Sequence, residues 1–300
     1  MKKYFTFLSF FFLIFCLAQN TIDIAAKWNK GEVYNVKFTS EITDVKNKQK
    51  ILTTSIFDSK FSVNEIADSK IKITWIYNSA KLDIKENNIE NIILSKILNQ
   101  PLKIRLSEFG KFEALENTSE IRSLVSEILD NELSKTAVDS KKALLNVAKS
   151  MISTDYGLEV LVTKNIKVYL FSFGYQFVEN KTDTHNLEIP NLFGGESFPA
   201  TETVKMTNVD ETLKTCVIKT SKIADGDRVK SEVMNVLIKA SKKNKNEIES
   251  QLKDYNLEFS ESTEHEINYN KGIVNKGFFK RVMNFEIQDR IQLLKFSTQY

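Results

Sequence analysis

Residues 71–77, Ile-Lys-Ile-Thr-Trp-Ile-Tyr, decide the fold class because a large apolar side chain occupies every second position. This period is typical of a β-strand with one buried and one solvated face. The same period runs from Glu32 to Ile84, and it is clear again at residues 34–38 and 57–63. The segment therefore predicts three antiparallel strands separated by polar turns such as residues 44–48.

Two further stretches repeat the strand pattern. Residues 102–106 alternate after Pro101, and Phe109-Gly110-Lys111 turns the chain into a short return strand. From Leu257 onward the alternation resumes, with a tight turn at residues 270–272. Both stretches therefore predict antiparallel hairpins.

Helical periodicity separates the two strand-rich parts of the chain. Asn117 or Thr118 caps a helix, and Glu120 completes a box-like pairing at its start. A second helix is predicted from Asp139 to Ile152, while residues 85–99 predict a short helix or a long loop. The helix after the cap carries one apolar stripe, formed by Ile121, Leu124, Val125, Ile128, Leu129 and Leu133.

The region after these helices mixes strand-like and irregular sequence. Residues 157–178 are rich in β-branched and aromatic types, which favours strands. Residues 180–200 contain two prolines and a glycine pair, and they predict a long irregular loop. Strands resume near residue 203, and the turn Asp225-Gly226-Asp227 opens another amphipathic helix.

Strands on both sides of the helices predict one α+β domain over residues 19–300, with a subdivision near residue 155 as the alternative. The expected architecture is a large curved antiparallel β-sheet, a half-barrel-like meander, with helices packed on one face. No linker-like composition separates the two halves.

The first eighteen residues have the pattern of a secretory signal peptide. Lys2 and Lys3 precede a 14-residue apolar run, and Ala18 supplies the small residue for cleavage after it. As a helix the run spans roughly 21 Å, short of the ~30 Å bilayer core, so no integral membrane segment is expected after cleavage. The expected location is therefore secreted or periplasmic. A lipoprotein anchored at Cys16 is the alternative, which Phe15 disfavours because a small residue normally stands there.

Charge and cysteine content exclude some classes of function. Loss of the signal peptide removes two lysines and no acid, which lowers the formal net charge from +3 to about +1. No nucleic-acid partner is expected from so small a charge. Cys216 is then the one remaining cysteine, so no intrachain disulfide is expected, and a buried unreactive thiol is its expected role.

No catalytic, metal or cofactor motif stands out in the sequence. His185 and His265 lack further ligands at metal-binding spacing, and surface or capping roles are expected for both. The chain also lacks Gly-x-Ser-x-Gly and the glycine-rich phosphate loops. The prediction is therefore no enzyme, no cofactor and no metal site, with a hydrolase of unrecognised site as the least favoured alternative. The lysine-rich stretches 46–50 and 239–245 predict solvated faces, the second with an anionic membrane surface as the alternative partner.

Aromatic residues carry the strongest indication of function. Phenylalanine is abundant, and most of it stands at inward strand positions, where it either fills a core or lines a cavity for an apolar ligand. We expect a non-enzymatic binding protein for an apolar or lipid-like ligand. In the alternative, a cell-envelope interaction module, a partner protein docks on residues 180–200 or on the outer face of the sheet. The predicted ligand-lining residues are Phe57, Phe61 and Trp75 on the sheet, and Leu124, Ile128 and Leu129 on the helix that closes the site.

Three short segments carry a resemblance to known proteins. They are residues 31–34, residues 101–104 running into 109–111, and residues 189–196 leading to Pro199-Ala200 and Asp210. On these segments the chain resembles a family of secreted bacterial proteins of unknown function, a resemblance that implies no activity. The layout is also similar to that of periplasmic lipoprotein carriers, in which a curved antiparallel sheet and helices enclose an apolar cavity. Those carriers begin with a helix, whereas this chain begins with strands.

Overall fold

The computed structural model describes residues 21–46, 49–83, 88–189, 197–231, 234, 258–284 and 288–299. The predicted signal peptide and the lysine-rich stretch 239–245 lie outside the described residues. The glycine pair at 194–195 lies outside them as well. Of the amphipathic helix predicted after Asp225, residues 226–231 and 234 are described, and they are helical.

The described residues form thirteen strands. Eleven of them make one antiparallel sheet in the order β6-β5-β4-β3-β2-β13-β12-β11-β10-β9-β8, and β1 and β7 make a separate pair. The strands are β1 Thr21–Ile24, β2 Val33–Lys46, β3 Gln49–Ala67, β4 Lys70–Lys81, β5 Leu102–Ser107, β6 Phe112–Leu115, β7 Tyr175–Val178, β8 Thr182–Ile189, β9 Phe198–Asp210, β10 Thr215–Ala224, β11 Glu258–Asn268, β12 Ile273–Asn284 and β13 Gln288–Gln299.

The two halves of the chain meet where β2 pairs with β13. This pairing places Phe38 opposite Phe296 on the buried face. The alternation predicted for residues 71–77 is present in β4, where Ile71, Ile73, Trp75 and Tyr77 are buried and pair with β3 or β5. The open, half-barrel-like antiparallel sheet with helices beside it confirms the predicted α+β class.

Four helices follow the first meander: α1 Ile89–Lys96, α2 Thr118–Lys135, α3 Asp139–Met151 and α4 Asp155–Leu170. Asn117 precedes α2 but does not cap it through a side-chain hydrogen bond. Its side chain accepts from Lys103 N at 2.9 Å and donates to Pro101 O at 2.9 Å, which ties the start of α2 to β5.

The strand prediction for residues 157–178 is wrong up to residue 174, because the structure has helix α4 there, followed by a turn at residues 171–174, and β7 begins at Tyr175. Thr154 caps this helix by accepting a hydrogen bond from Gly157 N at 3.1 Å. The helix is buried on several sides, so its apolar residues do not form one stripe and the helical period is obscured. The helix-propensity cost of a β-branched residue is below about 0.7 kcal/mol, which the burial of Val162 and Ile166 outweighs.

The prediction of an irregular loop over residues 180–200 is wrong at both ends. Strand β8 occupies Thr182–Ile189, and β9 begins at Phe198. β8 is an edge strand with mostly exposed side chains, so it lacks the apolar alternation by which strands are recognised. The intervening residues 190–196 lie outside the described ones.

Candidate functional site

The predicted sheet residues come together in one aromatic floor on the inner face. Phe61 and Trp75 are partners across β3 and β4, with ring centroids 5.2 Å apart and planes at 12°. Phe57 meets Tyr77 edge-on at 6.1 Å. All four side chains are fully buried. We use "aromatic floor" below for Phe57, Phe61, Trp75 and Tyr77.

Helix α4 covers this floor. The ring of Tyr169 lies edge-on to Trp75 at 5.7 Å and to Phe61 at 6.0 Å. Its hydroxyl shares a hydrogen bond of 2.9 Å with Thr298 Oγ1 on β13. Trp28, from the segment before β2, packs on Phe61 with ring centroids 5.0 Å apart. Sequence analysis did not single out Tyr169 or Trp28, because neither is near the floor in the chain.

The predicted closing residues lie on α2. Ile128 and Leu129 are buried and Leu124 is partly buried, and all three belong to the same core cluster as the floor. Helix α2 packs chiefly on the other three helices. The structure therefore places these residues in the helical layer. Whether a ligand reaches them stays a prediction.

Three polar atoms in and over the floor have no hydrogen-bond partner among the described residues. They are Trp75 Nε1, Tyr77 Oη and Asn165 Nδ2. Asn165 is buried on α4, one turn before Tyr169, so the two side chains share a helix face. Burial raises the pKa of Tyr77, and weak hydrogen bonding from the adjacent Asn165 side chain opposes the rise although the two groups do not reach hydrogen-bond geometry, so the hydroxyl is protonated at neutral pH. Asn165 was missed because residues 157–178 were assigned to strands.

A second buried polar group joins the end of the helical layer to the sheet. His265 Nδ1 on β11 shares a hydrogen bond of 2.5 Å with Ser172 Oγ, and both side chains are fully buried. The surface or capping role expected for His265 is therefore wrong. Its neighbour in register on β12 is Gly277, which leaves room for the imidazole and for Phe296. Burial lowers the pKa of His265 to about 3, so the ring is neutral at pH 7.

Charged side chains form a ladder across four strands on the same inner face. Glu202, Lys222, Glu261 and Arg281 stand in register on β9 to β12. Lys222 Nζ lies 3.5 Å from Glu202 Oε1 and 3.7 Å from Glu261 Oε2, and Arg281 Nη2 lies 2.6 Å from Glu261 Oε1. Charges of opposite sign thus alternate along the row, which is the favourable arrangement for cross-strand pairs.

The ladder continues through Gln292 to the helices. Gln292 is the partner of Arg281 on β13, and its Oε1 accepts a hydrogen bond from Lys164 Nζ on α4 at 3.0 Å. Lys164 Nζ also lies 2.6 Å from Glu90 Oε2 on α1. Burial lowers the pKa of Lys164, and Glu90 opposes that effect. This row therefore fastens α1 and α4 to the sheet.

The outer face of the sheet carries a groove of about 620 Å³ across β11, β12, β13 and β2. Phe278 and Leu293 line it together with four lysines and two glutamates. Lys37 and Lys280 in this lining form no ion pair with any described residue. The groove thus combines apolar side chains with two free ammonium groups.

The remaining sequence candidates have plain structural roles. Cys216 is buried, and burial raises the pKa of its thiol to about 12. Within the described ranges, no three His, Cys, Asp or Glu side chains converge as metal ligands would. None of the helices described is both long enough and apolar enough to span a membrane.

Comparison with known proteins gives only distant structural similarity. No family model matches the chain, and no curated protein matches it. A solved structure of lipovitellin, from a study of lipid–protein interactions, has 8% identity and a TM-score of 0.42 over 91% of this chain, which spans 26% of the lipovitellin chain. DynF from the dynemicin biosynthesis pathway of Micromonospora chersina has 5% identity and a TM-score of 0.20, over 94% of this chain and 85% of its own. An outer membrane channel from Pseudomonas putida F1 has 8% identity and a TM-score of 0.19, over 92% of this chain and 98% of the channel chain. Similarities at these scores carry no argument about function.

Proposed function

We propose that this protein is an exported, non-enzymatic binding protein that holds an apolar or lipid-like ligand between the inner face of the sheet and the helices. The aromatic floor is the sheet side of this site, and the helical layer with Leu124, Ile128 and Leu129 is its cover. The floor suits an apolar ligand because its large rings pack closely against apolar groups, and a ligand reaches these fully buried rings only when the cover moves.

The single observation that supports this proposal best is the set of polar atoms without partners on Trp75, Tyr77 and Asn165. A buried polar group without a partner costs about 1–3 kcal/mol. A core that is only packed gains nothing from three such groups, since apolar residues of similar size avoid the cost. A binding site does gain from them, because a ligand that pairs with them recovers the cost on binding.

The way the helices are attached supports a cover that can move. The described side chains of α2 and α3 make hydrogen bonds and ion pairs to helical neighbours, such as Arg122 to the Ile152 carbonyl and Lys149 to Asp130. Helix α4 instead bonds to the sheet through Tyr169 and Lys164. Asn117 ties the start of α2 to β5, and Arg122 pairs with Asp155 at the start of α4, so we expect the far ends of α2 and α3 to move together while α4 stays on the sheet.

Tryptophan fluorescence tests this proposal directly. The chain has two tryptophans, Trp28 and Trp75, and Phe61 lies between them. A fatty acid brominated along its chain quenches tryptophan only at short range, so it is titrated into the wild type and into the W28F variant, in which Trp75 alone reports. We expect saturable quenching in both, and lipid in the native mass spectrum of protein purified without detergent. A spectrum free of lipid together with unquenched Trp75 would refute the proposal.

The groove on the outer face favours an envelope interaction module as the second candidate function. Lys37 and Lys280, which pair with no described carboxylate, line the groove together with Phe278, and this combination suits an extended acidic segment of a partner protein. The K37E/K280E variant, the wild type and K60E are each cross-linked to their partner proteins, and the cross-linked products are compared. K60E changes another lysine of the same face. A partner lost only from the groove variant supports this function. Equal cross-linking of all three proteins removes it.

A further inference from the structure

We infer that the ligand carries a hydrogen-bond-accepting oxygen, as in a carboxylate or an ester carbonyl, and that this oxygen lies between β4 and α4 against Trp75 Nε1, Tyr77 Oη and Asn165 Nδ2. This inference rests on the proposed function and deepens it. It separates a ligand with a polar end from a plain hydrocarbon, which the aromatic floor alone would accept equally well.

The chemistry of the three groups sets the character of their partner. An indole N–H and an amide NH₂ donate hydrogen bonds and accept none, and a phenol O–H donates as well. Burial favours the protonated form of Tyr77, so its donor is kept at neutral pH. A ligand group that only donates, such as an ammonium, leaves Trp75 and Asn165 without partners. A carboxylate or carbonyl oxygen has lone pairs for more than one of the donors.

The position of the three groups makes one site of them. Trp75 and Tyr77 are two residues apart on β4 and point to the same face. On α4, Tyr169 packs on Trp75, and the side chain of Asn165, one turn earlier, lies next to the Tyr77 hydroxyl without reaching hydrogen-bond geometry. The helix therefore brings its amide over the strand that carries the other two donors.

Neighbouring polar groups are already committed elsewhere. The Tyr169 hydroxyl pairs with Thr298, and Trp28 Nε1 donates to Gly272 O at 2.8 Å. Lys164 is next to Asn165, but its ammonium pairs with Glu90 and Gln292. The accepting oxygen is therefore met by neutral donors, so we expect an uncharged ester to bind as well as an acid.

The test compares three ligands of one chain length: a fatty acid, its methyl ester and the alkane. Each is measured on wild type, Y77F, N165L and Y269F by displacement of a brominated fatty acid. Wild type should prefer the acid and the ester to the alkane. In Y77F and N165L this preference should fall about tenfold, the effect of one lost hydrogen bond, while alkane affinity is unchanged. Y269F is the matched control, because Tyr269 is not part of the floor or its cover and its hydroxyl donates to Glu211 Oε2 at 3.3 Å, and it should keep the preference.

Stability of the unliganded protein separates a ligand role from a structural one. If the Tyr77 hydroxyl is paired only when a ligand is bound, Y77F removes an unpaired buried group and the midpoint of urea unfolding does not fall. A lower midpoint in Y77F with an unchanged preference for the acid overturns the inference, since the hydroxyl then serves the fold. Equal binding of all three ligands to wild type also overturns it. Absence of binding by all three instead refutes the proposed function itself, so the two failures are distinct.

Discussion

Lowering the pH from 7 to 5 should destabilise the folded protein by about 2 kcal/mol through one side chain, His265. The ring is fully buried and pairs with Ser172, and its described ring neighbours Phe171 and Phe296 are uncharged. Burial lowers the pKa of His265 to about 3, a shift that the Val168 carbonyl opposes. In the unfolded chain the pKa returns to about 6.5.

The direction of the effect follows from where the proton binds. Between pH 6.5 and about 3 the unfolded chain takes up a proton that the folded protein does not, so acid favours unfolding. The stabilisation is complete above pH 6.5 and is lost by about 1.4 kcal/mol per pH unit below it. With a folded-state pKa of about 3, the loss between pH 7 and pH 5 is about 2 kcal/mol.

Urea unfolding at pH 7, 6 and 5 measures this loss in wild type and in the S172A/H265L double variant. The double change removes both polar partners, so neither is left buried alone. Carboxylates contribute equally to both proteins, and the difference between the two pH dependences isolates His265. NMR provides a second measurement on the wild type, because the chain has two histidines and the H185Q variant assigns their signals. An imidazole of His265 that titrates between pH 5 and 7, or an equal loss of stability in the double variant, would refute the reasoning.

Three further predictions concern residues that hold the fold. A Cβ at Gly277 would lie 2.6 Å from the Phe296 ring, so G277A should lower the free energy of unfolding by about 1–3 kcal/mol, and an unchanged urea midpoint would contradict this. The K164M variant leaves Glu90 without its cation in a shielded site and should cost about 1–2 kcal/mol, of which adding E90Q recovers most. A double-mutant cycle checks this, and strictly additive losses would argue against the pairing. The buried Cys216, whose pKa burial raises to about 12, should resist a thiol reagent at pH 8 until urea is added, and rapid labelling of the native protein would show the burial to be wrong.

The sheet is predictable from sequence where each strand has one wet and one buried face. In β4 the apolar side chain at every second position reflects burial of a single face, so a local pattern reports a global arrangement. Strand β8 lies at the edge of the sheet with most side chains in solvent, so it has no such contrast to display. The prediction from sequence fails at α4 for the opposite reason, because this helix is surrounded by protein and few of its positions are polar.

The site is less predictable than the fold because its contacts join distant parts of the chain. Phe61 and Trp75 were grouped correctly, since strands next to each other in sequence also pair in the sheet. Asn165 and His265 reach the inner face from α4 and β11, and no local pattern marks a single buried polar residue. Their common signal is a polar residue at an inward position, which is visible only once the element and its period are known.

The inner face has a polarity gradient that gives the proposed ligand one orientation. Phe61 and Trp75 lie at its aromatic end, the row of Ser40 and Ser55 follows, and the charged ladder with Arg281 lies beyond. At the aromatic end, Trp28 donates its N–H to the Gly272 carbonyl, so a ligand oxygen placed there finds no described indole N–H that is free to donate. Trp75 Nε1, Tyr77 Oη and Asn165 Nδ2 have no described partner. If the proposed ligand binds with its accepting oxygen at these three groups, we expect the reverse orientation to cost about 1–3 kcal/mol, because it buries that oxygen without partners.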